Sequence, residues 1–344
     1  MRIVLLSPLP PPIGGIATWT KDFIEYSKKK NHEVYVVDTS LIGKRQNKKN
    51  HRKNFFTEIR RSLRIYKSLI FKINKYNPDY VYINSSCSLT GLLRDLFAVL
   101  ISKNNKIVFH CHCDVTYQVK NKIAENLLKI ILKNVSKVFV LNMQSLEYIK
   151  RLMDCDVRLI PNFIIEEKCD DYHKINEKVK KVVYVGHVRI QKGVREIIGL
   201  AKTNKDVQFD LAGVVTNEIS DMEIPSNMHL LGAKESIEVK KLLETSDVFV
   251  FPSYTEGFSL ALLEAMAVGL PVVATDVGAN KDMIEDKGGI IVKSRSLESL
   301  SEAFTSIRKF EKRKIMSEWN INKVQKCYTD KAVISRIYNI LKEN

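Results

Sequence analysis

Two carboxylates, Glu256 and Glu264, stand eight positions apart in the segment PSYTEGFSLALLEAMAVGLPVVATD, residues 252–276. Paired carboxylates that hydrolyse a glycosidic bond lie about 5 to 9.5 Å apart across that one bond. If both glutamates lay in one helix, about 1.5 Å of rise per residue would set them roughly 12 Å apart along its axis. That spacing suits gripping two parts of a long ligand better than acid and base work on one atom. Taken alone, it also fits a helix with one glutamate stabilised by the N-terminal dipole and one exposed glutamate.

Counter-charge is available upstream, in Gly186-His187-Val188-Arg189-Ile190-Gln191-Lys192-Gly193. Cations fixed in a dry site stabilise negative charge on a ligand. Near the N-terminus, Gly14-Gly15-Ile16 follows a strand-like run. A glycine pair there lets backbone approach a ligand that a side chain would block, or simply makes a turn. His110-Cys111-His112-Cys113-Asp114 holds metal-ligating types. On a strand, however, the two His and the two Cys point to opposite faces and cannot converge on one ion. Either His112 or His110, which shares its face, can be a site residue or a buried, hydrogen-bonded histidine. Asp154-Cys155-Asp156 matches the short Asp-x-Asp pattern by which many transferases hold a metal, yet it precedes its nearest strand pattern and reads as a loop. No metal is expected.

The elements that must position these groups are legible as punctuation and period. Pro252 and Ser253 close the apolar run at 248–251, Gly257 supplies a turn, and a helix is expected from about Ser259. Leu260, Leu263, Met266 and Ala267 recur at helical spacing, and Gly269 and Pro271 stop the pattern. Such a strand, turn and helix opening aims free backbone N–H groups beyond the strand end, where an anion can sit. Strand-like runs begin near Ile3, Glu33, Tyr80, Lys106 and Val138, separated by helical patterns at 16–30, 55–76, 89–103, 120–134 and 144–151. A second alternating series has strands near 182–186, 207–212, 228–231, 247–251, 271–274 and 289–292. Alternation of this kind implies right-handed crossovers and parallel sheets with helices on both faces. Ligands bind beyond the carboxyl ends of such strands, so two facing domains would enclose a cleft. The charged segment 163–180, FIIEEKCDDYHKINEKVK, reads as the interdomain linker.

A chain of 344 residues is long for one core, and its 45% hydrophobic content is ordinary for a globular protein. No apolar run reaches the roughly 18 residues of a membrane span. The run Ile3 to Leu6 is too short for a secretory segment, so a cytoplasmic location is expected. Six cysteines without framework spacing read as free thiols in a reducing compartment. Of the formal net charge of +16, +11 falls between Lys44 and Lys75, where twelve Lys or Arg face only Glu58. There Phe55, Ile59, Leu63, Tyr66, Ile70 and Ile73 recur at helical spacing. The result is a basic amphipathic helix, able to lie on an anionic membrane surface or to pack its stripe on the domain's own core. Nucleic acid is not an expected partner, since no recognition motif accompanies the charge.

In order and spacing, the Gly14-Gly15-Ile16 loop, the strand end at His112, Ile160-Pro161-Asn162, Gly186 to Gly193, Gly213, Leu231-Gly232 and residues 252–276 resemble family 4 glycosyltransferases. The resemblance implies an α/β GT-B fold: two Rossmann-like, doubly wound parallel-sheet domains facing across a cleft. The domains are then 1–165 and 181–325, joined by a linker at 166–180. A C-terminal segment, 326–344, would cross back to the first domain, its helix at about Asp330 to Lys342 carrying Val333, Ile337, Ile340 and Leu341 as a stripe. It further implies a retaining transferase that uses a nucleotide-diphosphate sugar without cofactor or metal. The acceptor would be a glycan or lipid-linked hydroxyl in synthesis of cell-surface polysaccharide such as capsule or exopolysaccharide, with the protein peripheral at the inner membrane face.

Carried over by position, Glu264 binds the donor ribose, and Glu256 lies beside the transferred sugar. Gly257, Phe258, Ser259 and Leu260 meet its hydroxyls and phosphate through their backbone, and His112 stands close to the reacting sugar. The Gly14-Gly15 loop faces the phosphate and borders the acceptor. The family usually has an Arg directly after the first glycine and a Lys five residues beyond, both on the diphosphate. Here Lys192 is in place, but His187 occupies the Arg position, and Arg189 is the alternative second cation. An inactive scaffold of the same fold would be expected to lack Glu256, Glu264 and Lys192, and a nicotinamide oxidoreductase would need a G-x-G-x-x-G turn that the first loop does not have.

Overall fold

A computed structural model describes residues 1–11, 14–40, 55–166 and 175–343. They form two compact units: Met1–Asn162 with Ile334–Asn344, and Phe163–Val333. Each is built on a six-stranded sheet in which every pairing is parallel. Strands such as RIVLLS and YVYINS are nearly all apolar, because helices cover both faces of a parallel sheet.

Unit 1 runs β1 (Arg2–Ser7), α1 (Gly15–Lys29), β2 (Glu33–Asp38), α2 (Phe55–Tyr76), β3 (Tyr80–Ser85), α3 (Leu89–Ile101), β4 (Ile107–Cys111), α4 (Val115–Gln118), α5 (Lys122–Leu132), β5 (Lys137–Val140), α6 (Met143–Leu152) and β6 (Val157–Leu159). The strand order β2-β1-β3-β4-β5-β6 reverses between β1 and β3. One face of the sheet packs Val81, Ile83 and Phe109 against Leu69 of α2, Leu92 of α3 and Leu128 of α5. The other carries Tyr80 and Tyr82 toward α1 and the last helix, α14 (Asp330–Lys342). That helix is tied to unit 1 by Tyr26 Oη with Ser335 Oγ at 2.8 Å, by Tyr338 Oη donating to Ser27 Oγ at 2.7 Å, and by Tyr80 Oη donating to the Leu341 carbonyl at 2.9 Å.

Unit 2 runs β7 (Lys181–Val185), a single 3-10 turn (Ile190–Lys192), α7 (Val194–Thr203), β8 (Gln208–Ala212), α8 (Asn217–Ser220), β9 (Met228–Gly232), α9 (Ser236–Glu244), β10 (Val248–Phe251), α10 (Leu260–Ala267), β11 (Val272–Thr275), α11 (Asn280–Ile284), β12 (Gly289–Val292), α12 (Leu297–Ile307) and α13 (Phe310–Cys327). Its order, β12-β11-β10-β7-β8-β9, reverses between β10 and β7. Loops that leave two strands in opposite directions open a crevice at such a point. The loops after β7 and β10 are the ones that hold the candidate charges.

Three readings of the sequence gain detail. The apolar stripe of α2 that enters the core is Ile65 and Leu69, with Tyr66 and Ile73 at its border, whereas Ile59, Leu63 and Ile70 are exposed. Hydrophobic spacing identified the helix and left its inward side open; the stripe it picked out divides, with Tyr66 and Ile73 against the core and Ile59, Leu63 and Ile70 exposed. The three-residue strand β6 follows Asp156, whose carboxylate takes Lys137 at 2.9 Å and also Arg158. Asp154-Cys155-Asp156 is thus a loop with an ion-pair cluster. The expected linker is tied down from residue 176 onward: buried Asp247 accepts from Asn176 Nδ2 and from the Lys180 and Lys181 N–H groups, each at 2.8 Å. Residues 167–174 of that linker, and 44–54 of the basic stretch, lie outside the described residues.

Helix α13 is held by a buried amide rather than by an apolar stripe. Asn320 Nδ2 donates to the Leu270 and Gly288 carbonyls, both at 2.8 Å, at the entrances to β11 and β12. Replacing Asn320 with Ala strands two buried acceptors, and the expected loss is roughly 2–4 kcal/mol. Urea unfolding of Asn320→Ala followed by circular dichroism checks this; a midpoint equal to wild type would show that the clamp is dispensable.

Candidate active site

In unit 2 two loops are pressed together by a glycine. Gly193 has φ +75°, and a Cβ there would lie 2.0 Å from the Pro252 carbonyl oxygen. Only glycine tolerates both the left-handed backbone and that approach. The Tyr254 N–H donates to the Gln191 carbonyl at 3.0 Å, and the Tyr254 hydroxyl reaches both Glu196 carboxylate oxygens at 2.8 and 2.9 Å. So joined, the loops bring Lys192 Nζ onto Glu256 Oε1 as an ion pair whose side chains are only 16% and 12% exposed. The Lys192 ammonium also sits 6.0 Å from the Phe251 ring centroid.

Beneath this pair lies Tyr184, fully buried, stacked on Phe251 at 5.9 Å and donating to the His187 carbonyl at 2.9 Å. Burial drives its phenol pKa well up; Glu256 pushes it the same way and Arg189 the opposite way. Arg189 and Glu256 therefore act on one buried group. The His187 side chain is exposed and contributes its carbonyl. Arg189 is half-buried, and its charge reaches Tyr184.

Glu256 stands before helix α10, not within it, so the helical spacing between the two glutamates does not apply. Its backbone is fixed from the loop after β11: Gly278, at φ +56°, leaves no room for a Cβ, which would lie 2.4 Å from the Glu256 carbonyl. The Ala279 N–H donates to the Gly257 carbonyl at 3.0 Å. Phe258 is buried edge-on against Tyr328 at 5.9 Å, and Ser259 caps α10 by accepting from the Leu262 N–H at 3.2 Å. Helix α10 thus opens at Ser259, in the loop that carries Glu256. One turn further, Glu264 has an accessible carboxylate with no partner among the described residues, and partial burial raises its pKa. The two glutamates occupy different environments, one paired and one open.

In unit 1, Gly14 is the N-cap of α1 with no side-chain cap, and a Cβ at Gly14 or Gly15 would meet nothing within 4 Å. No internal packing demands these glycines; they border open space. His110 and His112 separate clearly. His110 is fully buried, with Nδ1 2.9 Å from the Tyr82 hydroxyl, and burial pushes its pKa well down. His112 lies just past β4, partly exposed, its ring edge-on to Trp19 at 5.0 Å. Cys111 and Cys113 turn to the opposite face and enter the core with Cys87. Among the described residues no group of three or more His, Cys, Asp or Glu is arranged to hold a metal ion.

A buried chain of hydrogen bonds sets the tautomer of His112. The Ile16 carbonyl can only accept, so Thr20 Oγ1 donates to it at 2.7 Å and must itself accept from Ser7 Oγ at 2.5 Å. Ser7 then accepts from Asn84 Nδ2 at 2.9 Å, which turns Asn84 Oδ1 to His112 Nε2 at 3.0 Å. The Nε2 atom carries the hydrogen, and Nδ1 keeps its lone pair. Burial lowers the ring pKa from 6.5 to about 3, so it is neutral. Asn84, Trp19 and Tyr184 escaped sequence reading; their one signal is position, at or just before a strand's carboxyl end or on the first turn of α1.

Comparison with known proteins supplies the family. Residues 13–168 match the description Glycosyltransferase Family 4, and residues 166–323 match Glycosyl transferases group 1. The chain belongs to the family 4 glycosyltransferases. It is 23% identical over 321 residues to the capsular polysaccharide biosynthesis glycosyltransferase CapM of Staphylococcus aureus, covering 81% of each chain. It is 26% identical over 200 residues to the putative teichuronic acid biosynthesis glycosyltransferase TuaC of Bacillus subtilis, covering 55% of this chain and 51% of that protein. Among solved structures, the lipopolysaccharide outer core galactosyltransferase WaaB superposes with a TM-score of 0.76 at 15% identity over 98% of both chains. HepE of Anabaena, in complex with UDP-glucose, gives 0.74 at 14% over the whole of both. The GT-B fold and a glycosyltransferase activity follow.

Two outcomes test this site. Lys192→Ala and Glu256→Gln are each expected to slow glycosyl transfer by about 10²- to 10³-fold, the usual effect of removing a group that stabilises developing charge; near wild-type rates would remove both residues from the site. Nitrogen NMR of labelled His112 should show the neutral Nε2–H form throughout the range from about pH 5 to about 8. Because the folded pKa lies below the unfolded value of 6.5, unit 1 should lose stability as pH falls from 6.5 toward 3 and gain none above 6.5.

Proposed function

We propose that this glycosyltransferase moves a hexose-type sugar, with retention, from a nucleotide-diphosphate sugar to a hydroxyl of a glycan or lipid-linked acceptor in cell-surface polysaccharide synthesis. The observation that carries the reading is the Lys192–Glu256 pair in the loop from which α10 opens, with Arg189 and Glu256 both acting on Tyr184 and Glu264 accessible one turn on. Cations and helix N–H groups suit a diphosphate, and an open carboxylate suits vicinal ribose hydroxyls. HepE is described with UDP and glucose, and relatives from Escherichia coli and Campylobacter jejuni are named for diphosphoundecaprenol-linked acceptors.

In this reading unit 2 takes the donor, and the Gly14-Gly15 loop and His112 of unit 1 serve acceptor and sugar. The bond from the anomeric carbon to phosphate oxygen breaks with its electron pair going to the phosphate. Lys192, Arg189 and the α10 N–H groups stabilise that charge without a metal. The acceptor oxygen forms the new bond on the same face, and its proton passes to the departing phosphate. The basic stretch from Lys44 to Lys75 gives the protein a peripheral place at an anionic membrane, and no described helix is long and apolar enough to cross one.

A panel of nucleotide sugars screened by thermal shift tests the donor class. A true donor present at about 100 times its Kd stabilises the protein by about 2.7 kcal/mol. Glu264→Gln should weaken that binding by roughly tenfold, the scale of one charge-assisted hydrogen bond. Transfer should persist in chelator, with the product's anomeric proton keeping the donor's configuration; loss of transfer in chelator, or inversion, would overturn the mechanism.

A further inference from the structure

The face of the unit 1 sheet covered by α2, α3 and α5 holds three thiols where the ladder between β3 and β4 ends. Ser85 is paired with Cys111 across that ladder, and Cys87 and Cys113 each stand two residues further on. Side chains two apart along an extended chain share a face, so Cys87, Cys111 and Cys113 enter one cluster. Neighbouring strands about 4.8 Å apart place such pairs within the Cα separation, roughly 4.4 to 6.8 Å, that a disulfide spans. All three are free thiols in this structure. Buried cysteines of this kind can serve simply as small apolar side chains.

Two features set the cluster apart. Cys87 has φ +51°, a left-handed conformation that a residue with a Cβ rarely takes, and its N–H donates to Ser85 Oγ at 3.0 Å. Hydrogen bonds from the Cys111 and Cys113 thiols hold the Cys87 thiol well below the usual range, while the same contacts and burial push Cys111 and Cys113 up. The first proton to leave the cluster is therefore that of Cys87. A thiolate beside a second thiol is the arrangement that oxidation to a disulfide needs. Cys87 is flanked in sequence by half-buried Ser86 and Ser88, and Cys113 is 8% exposed, so the cluster lies just beneath the surface. Of the two neighbours, Cys111 is tied into β4, whereas Cys113 lies past its end and is the freer partner.

We propose that Cys87 and Cys113 form an oxidation site, closed to a disulfide by hydrogen peroxide, whose closure displaces His112. The Cys87 thiolate attacks one peroxide oxygen, the O–O bond breaks, and a sulfenic acid forms as hydroxide leaves. That hydroxide takes up the proton Cys87 had released. The Cys113 sulfur then displaces the sulfenic oxygen, which departs with the Cys113 proton as water. Two thiols and one peroxide give one disulfide and two waters. Cys113 directly follows His112, and Cys87 is three residues past Asn84. The His112 N–H donates to the Ser85 carbonyl at 2.8 Å, and its ring meets Asn84 Oδ1 at 3.0 Å. A covalent bond drawn between these same two segments disturbs both contacts. Loss of transfer on oxidation rests on the reading of His112 as a site residue proposed above; the bridge itself does not.

The test treats the reduced full chain with hydrogen peroxide, alkylates it under denaturing conditions and maps the peptides by mass spectrometry. A Cys87–Cys113 peptide pair is expected, with two fewer alkylated thiols than the six of the reduced chain. The His112 ring nitrogens should shift in NMR on oxidation, and transfer should fall by at least roughly tenfold and return with dithiothreitol. Cys113→Ala should keep transfer when reduced and lose its sensitivity to peroxide, whereas Cys111→Ala should still form the bridge. Six alkylated thiols after peroxide, a bridge to Cys111 in place of Cys113, or unchanged His112 nitrogen shifts in the bridged protein would each overturn the proposal. A mapped bridge with shifted His112 nitrogens and undiminished transfer would instead sink the reading of His112 as a site residue and leave the oxidation site standing.

Discussion

A parallel sheet covered on both sides leaves polar side chains almost nowhere to go except its ends. Along β1, β3, β4 and β10 nearly every residue is buried, and the ladder consumes the backbone donors and acceptors. At the carboxyl ends the ladder stops, and there Ser7, Asn84 and His112 begin in unit 1 and Gly186 and Pro252 in unit 2. Right-handed crossovers bring helix N-termini to the same ends, so first-turn N–H groups and polar side chains gather together. Glycines complete the arrangement where two backbones must touch, as Gly193 does on Pro252 and Gly278 on Glu256.

The two units use that common edge in opposite ways. Unit 1 builds a neutral polar chain, Ile16–Thr20–Ser7–Asn84–His112, in which every hydrogen is directed by the carbonyl at its end. Because the chain begins on the first turn of α1, the Gly14-Gly15 loop and His112 share one scaffold. The neutral ring offers Nδ1 as an acceptor, which fits a hydroxyl ligand and is unsuited to donating a proton. Unit 2 instead concentrates charge: Lys192 pairs with Glu256, and Glu256 and Arg189 both act on the buried Tyr184 phenol.

Much of this was legible because strand, glycine turn and helix opening leave strong marks. The strand starts, α2, α14 and the Ser259 cap fall where punctuation and period place them. Family resemblance points to Glu256, Glu264 and Lys192 and leaves His187 and Arg189 open, because side-chain exposure in this loop is not written in the sequence; the structure leaves His187 exposed and Arg189 half-buried. Helix α13 is silent to hydrophobic period because its buried face is written in Arg313, Met316, Ser317, Asn320 and Val324. The side of α2 that enters the core is not legible for the opposite reason: apolar residues occupy both sides, and only tertiary packing tells which is inward. Asn84 and Tyr184 sit inside strand patterns that a reader assigns to the core.

The Lys192–Glu256 pair also bears on selectivity. Two charges this far out of water are tolerable only while each satisfies the other, and removing one leaves the second uncompensated. In the proposed donor complex the diphosphate takes Lys192 from Glu256. That carboxylate then needs new donors, and the hydroxyls of a sugar lying beside the diphosphate supply them. A nucleoside diphosphate without its sugar makes the same claim on Lys192 but returns nothing to Glu256. On that proposal the ion pair would resist product and yield to donor, so one contact would discriminate between the two ends of the reaction.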